Sequence, residues 1–175
     1  MPRLPRRPVT IALVALLVLT LSVATAVAQR IGYRGGALRQ ARVISATDPT
    51  TTTGTTFVAL PGAGAALRIG ANAPHQHVLV TFSGESTCAT SGPSAESCRI
   101  RVLVDGREAD PVVAHEVAFD DATTTHAAES HAVQRVYGPL GPGRHTIHVQ
   151  YATSSADTTF TLDDWTLSVL SVVAK

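Results

Sequence analysis

From Phe57 onward the chain is written in short apolar runs that alternate with polar residues and are broken by Gly, Pro, Asp and Ser. Alternation with period two sends successive side chains to opposite faces of a strand. Many such runs with turn residues between them point to an all-β fold, an antiparallel β-sandwich. No segment beyond residue 30 carries a 3.6-residue period, so few or no helices are expected. Candidate strands fall near 55–60, 65–70, 76–83, 98–104, 111–119, 130–137, 144–152 and 158–172, about eight to ten strands in all.

The alternation also assigns faces. Val78, Val80 and Phe82 should point inward, as should Ile100, Val102 and Val104, leaving Leu79, Thr81, Arg99, Arg101 and Leu103 outside. Asp105-Gly106 follows directly and supplies the positive φ angles of a tight hairpin. Gly138-Pro139-Leu140-Gly141-Pro142-Gly143 is a turn that launches Ile147, Val149 and Tyr151 as another inward set. In the last strand the parity flips: Phe160 and Leu162 are inward at even positions, Trp165, Leu167 and Val169 at odd ones. A β-bulge or sharp bend across Asp163-Asp164 reconciles both halves with one core.

Ahead of the sandwich lie Arg3, Arg6 and Arg7, then no charge from Val9 to Ala28, with small residues in Ala24-Thr25-Ala26-Val27-Ala28. That is the build of a secretory signal peptide cleaved after Ala28. The apolar run also has about the length of a bilayer span, which leaves an uncleaved anchor through residues 9–28 as the alternative. The expected division is a signal sequence over 1–28, a flexible N-terminal arm over 29–54 and the sandwich over 55–175. Without its leader the chain has a slight acidic excess, which excludes a basic nucleic-acid surface. The expected location is outside the cytoplasm, secreted or in the cell envelope.

Cys88 and Cys98 are the only cysteines. An even count in an exported chain is expected to pair. Zinc motifs use shorter cysteine spacings and four ligands, so a disulfide is the better reading.

Several segments resemble a known type: Phe57-Val58-Ala59-Leu60-Pro61-Gly62, Val78–Glu85, Arg101-Val102-Leu103-Val104-Asp105-Gly106, Leu140–Ile147 and Asp163-Asp164-Trp165-Thr166-Leu167. Together they resemble uncharacterised exported bacterial jelly-roll domains and, more loosely, tumour-necrosis-factor-like and complement-type jelly rolls and tail-fibre tip domains. The resemblance implies a sandwich of about ten strands, frequent trimers and binding without catalysis, although this chain has no collagen-like or coiled-coil stalk. Its motifs are turns and core strands, which carry fold rather than function.

Among chemistry-bearing residues the seven histidines stand out. His75 and His77 flank Gln76 on one strand face, and with His148 as a third ligand they would suit zinc or copper; the bland alternative is a set of solvated surface histidines. His115 and His145 share parity with inward residues and are candidate bases for a small secreted hydrolase, against a plainer role at strand ends with hydrogen-bonded nitrogens. Asp120-Asp121 and Asp163-Asp164 are paired carboxylates at strand ends or bends, of the kind that supply calcium ligands in sandwich loops. As a glycosidase pair they fail, because neighbours on a strand face opposite ways. No G-x-S-x-G elbow surrounds Ser83-Gly84-Glu85-Ser86. The Gly62-Ala63-Gly64 and Gly141-Pro142-Gly143 segments read as turns and not as phosphate loops, since no helix follows them. Trp165, beside Asp163 and Asp164, reads as core at a bend, with a ligand platform as its rival.

The expected function is therefore binding or assembly without catalysis, with no required cofactor, a protein or glycan partner, and a homo-oligomer. The alternatives are the hydrolase and a histidine-based metal-binding envelope protein.

Overall fold

The computed structural model describes residues 32–33, 35–92, 96–112, 118–122 and 127–175; the leader or anchor expected at 1–28 and the candidate base His115 lie outside them. Among the described residues ten strands follow in chain order: β1 (Gly35–Ala46), β2 (Thr50–Thr52), β3 (Val58–Ile69), β4 (Gln76–Thr90), β5 (Ser97–Val104), β6 (Arg107–Glu108), β7 (Ala118–Asp121), β8 (Glu129–Leu140), β9 (Gly143–Thr153) and β10 (Thr158–Ala174). They form two antiparallel sheets packed as a sandwich. The first has the order β1-β10-β4-β8, with β2 also on β10; the second has the order β3-β9-β5-β6, with β7 also on β5.

The inward sets found by parity make the core. Val78, Val80, Phe82, Val104, Ile147, Val149, Phe160, Leu162, Leu167 and Val169 are all fully buried, and Ile100, Val102 and Tyr151 nearly so. Aromatic rings link the layers, with Phe119 5.8 Å from Phe82 and 6.2 Å from Phe160, and within the first sheet Phe82 lies 5.9 Å from Trp165. Asp105 and Gly106 take φ angles of 50° and 77° in the β5–β6 hairpin, the conformation that an Asp-Gly pair supplies. The disulfide Cys88–Cys98 joins β4 of the first sheet to β5 of the second.

The parity flip in β10 is a bulge. Asp163 pairs with Glu85 and Thr166 with Ser83, so three steps on β10 oppose two on β4. Asp164 sits at φ 43° and the Asp163 carboxylate accepts its backbone N–H at 2.9 Å. Gly84 makes room for the result, since a Cβ there would stand 2.9 Å from the Trp165 Cβ.

Three expectations are corrected. The sandwich begins at Gly35 rather than at residue 55: β1, read from sequence as part of a flexible arm, is a twelve-residue edge strand paired along β10. An edge strand buries little, so β1 carries no core alternation; Leu38 and Val43 remain exposed. The separate strands at 55–60 and 65–70 are one strand, β3, and Gly62-Ala63-Gly64 is a register irregularity inside it rather than a turn. Gly62, at φ 76°, lets the backbone pass over the edge of the Trp165 ring. Of the strand expected at 111–119, Pro111 and Val112 lie in no strand, 113–117 fall outside the described residues, and Ala118 and Phe119 belong to β7, which runs on to Asp121.

Candidate functional site

The sandwich places the expected zinc histidines apart. His75 precedes β4 and is exposed, whereas His77 is buried beneath Tyr33, whose ring meets it edge-on at 4.9 Å. Burial pulls the His77 pKa below its usual value, so the ring is neutral at pH 7. It is not the solvated surface histidine that the plain reading expected. Tyr33 is itself fixed, its hydroxyl donating to the Asp110 carboxylate, and burial together with that carboxylate pushes its pKa up to about 12. His148 stands on β9 in the other sheet, against Gly64. The three do not come within shared-ligand distance.

His145 is a clamp between two turns. One ring nitrogen meets the Asp105 carboxylate at 2.6 Å and the other the Gly141 carbonyl at 2.9 Å. Asp105 also accepts the Thr146 backbone N–H at 2.8 Å. A base needs a free nitrogen facing a substrate proton. His145 has both engaged.

Asp163 and Asp164 form the bulge described above, and Trp165 is core at 1% exposure rather than a platform for a ligand. Asp120 and Asp121 divide as strand neighbours must: Asp121 is exposed and Asp120 buried. On β7, however, Phe119 is buried too. The β5–β7 register slips between Cys98 and Arg99, and this bulge turns both Phe119 and Asp120 into the sandwich.

Asp120 enters a polar rim where the two sheets meet. Ser86 on β4 donates to its Oδ2 at 2.7 Å, and His131 on β8 brings Nε2 to 3.6 Å from its Oδ1 and to 3.6 Å from Glu129 Oε2. Burial raises the Asp120 pKa, an effect that the Ser86 hydroxyl and His131 only partly offset. Glu129, His131 and Ser86 were not singled out from sequence. The alternation in Glu129-Ser130-His131 does put the first and last on one face, but their meeting with Asp120 depends on which strands cross at the rim.

The outer side of the first sheet is different in kind. Three successive rungs cross it, Ser45–Thr166–Ser83–Ala132, Val43–Ser168–Thr81–Gln134 and Ala41–Leu170–Leu79–Val136, and none holds a charge. Acidic residues collect at one end, where Glu85 pairs with Asp163 beside Asp164. Exposed Arg39 and Lys175 stand toward the other. The second sheet offers a shallow groove of about 500 Å³ along Ala59–Ala66 with Arg144, Thr146 and His148, lined mostly by small residues.

Set beside known proteins, the chain matches no family model and no curated protein sequence.

Proposed function

We propose that this is an exported, non-catalytic β-sandwich, secreted or held in the cell envelope, that works by assembly with a second copy of itself through the outer side of the first sheet. The observation that carries this reading is the uncharged three-rung face, with Val43 65% exposed at its edge. The three uncharged rungs, four strands about 4.8 Å apart and roughly five residues long at about 3.3 Å each, present about 300 Å², and the whole outer side with its charged ends, roughly 12 residues long, presents about 750 Å². That is close to the ~800 Å² per partner of a standard interface. A two-fold pair with antiparallel strands would set the acidic Glu85–Asp163 end of one copy against Arg39 and Lys175 of the other, and such self-complementarity is what an isologous dimer requires. These charges favour a second copy over a glycan, which would be met by stacked aromatic rings.

A jelly-roll path is supported by the nested antiparallel pairs β1·β10, β3·β9, β4·β8 and β5·β7, the pattern of one long ribbon folded over on itself. Export is supported by the basic and apolar leader together with the disulfide.

Sedimentation of the exported protein is expected to show a dimer at micromolar concentration. Leu79→Arg, which sets a charge in the centre of a half-buried face, is expected to give a folded monomer whose melting temperature no longer rises with protein concentration. A wild-type monomer throughout that range overturns the reading, as does a Leu79→Arg variant that keeps its dimer.

A further inference from the structure

We infer that Asp120, Glu129 and His131 form a binding site for a divalent transition metal of the zinc class at the rim of the sandwich, separate from the assembly face. The donors come from both sheets. Asp120 arrives from β7 through the bulge, while Glu129 and His131 stand two apart on β8 and so share a side. One ligand atom from each lies within 4.8 Å of the others.

The spacing argues for an ion between them. His131 Nε2 stands 3.6 Å from both carboxylates, too far for a hydrogen bond, and it is sealed from solvent without a hydrogen-bond partner. The two carboxylates lie within ion-pair reach, but a buried imidazole nitrogen that makes no hydrogen bond is costly. Ligand bonds of about 2.0 to 2.2 Å around a tetrahedral ion put neighbouring donor atoms about 3.4 Å apart, so a small inward shift of these side chains meets the requirement. The nitrogen donor selects the metal class: calcium and magnesium take oxygen ligands, whereas zinc takes imidazole and carboxylate together.

The surroundings fit the same role. Ser86 holds the Asp120 carboxylate by its second oxygen, as outer partners orient the ligands of metal sites. Exposure is graded across the three donors, with side chains 7%, 27% and 59% exposed for Asp120, His131 and Glu129, so the cluster lies at the edge of the sandwich with Glu129 on its solvent side. Three protein ligands leave one tetrahedral position for water or a partner's donor.

Titration of the exported protein with zinc chloride, followed by calorimetry and by melting temperature, tests the site. One equivalent per chain is expected, with a raised melting temperature because the ion binds the folded form. His131→Gln and Glu129→Gln should each weaken uptake at least tenfold, and Glu129 is exposed enough for its variant to fold normally. Ser86→Ala should weaken it about 10-fold to 100-fold as an orienting partner. His75→Ala should leave it unchanged. Zinc uptake that survives both His131→Gln and Glu129→Gln, absence of a stoichiometric site, or calcium bound as tightly as zinc overturns the inference. The dimer expected above does not depend on this site, so sedimentation with a chelator separates the failure of one reading from that of the other.

Discussion

Trp165 shows how one side chain can fix the course of a strand. It follows two aspartates, the second of them exposed with positive φ, and yet it is 1% exposed against Phe82. The bulge turns it inward and Gly62 and Gly84 leave the space around it. Truncation leaves a cavity between two rigid sheets, and the loss for an aromatic residue in a core is about 3 to 5 kcal/mol. Trp165→Ala is therefore expected to unfold the protein or to lower its melting temperature by roughly 10 °C or more. An unchanged thermal transition would show that Trp165 does not carry core packing.

At the scale of elements, the β5–β6 hairpin and the β8–β9 turn are held together by Asp105 and His145. Burial draws the His145 pKa down, but the Asp105 carboxylate and the Gly141 carbonyl outweigh it and hold the value above the ordinary 6.5. Burial likewise pushes Asp105 up, and the bonds from His145 and Thr146 outweigh it, holding the value below the ordinary 3.8. A histidine with a raised folded pKa stabilises fully below its unfolded value and loses that contribution as pH rises through the folded one; a carboxylate with a lowered pKa does the reverse on the acid side. The clamp is therefore complete between pH 3.8 and 6.5. His145→Gln should lower stability most in that window and less at about pH 9, by less than about 1 kcal/mol because the pair is partly exposed. A loss that is equal at both pH values would mean the histidine acts by packing alone. Such elements were legible in the sequence where both faces of the pattern were strong: the Asp-Gly hairpin, the inward sets and the parity flip in β10. β1 was not, since an edge strand with Leu38 and Val43 exposed lacks the apolar alternation that marks a half-buried one. The rim cluster was half legible. Asp120 stood out as a carboxylate, but Glu129, His131 and Ser86 gain their meaning only from the crossing of β4, β7 and β8.

At the scale of the whole molecule, the two sheets meet through apolar packing, the polar rim around Asp120 and one covalent link. Cys88 and Cys98 were expected to pair from count and compartment, and the fold gives that pair its consequence: it ties β4 in one sheet to β5 in the other, with both residues buried in the core. Closing a loop with a sequence separation of 10 stabilises by about 2 to 3 kcal/mol in the chain-entropy model, because it narrows the unfolded ensemble. The link lies across the layers, so its loss acts on the sandwich as a unit and the protein should still unfold in one transition. Alkylation of the denatured, unreduced protein is expected to label no thiol, and the Cys88→Ala, Cys98→Ala double variant to melt roughly 5 to 10 °C lower with the same sharpness. Labelling of both cysteines before reduction would remove the covalent tie. A broadened transition with two steps would instead show that the sheets separate before they unfold, and that the disulfide rather than the core makes them one cooperative body.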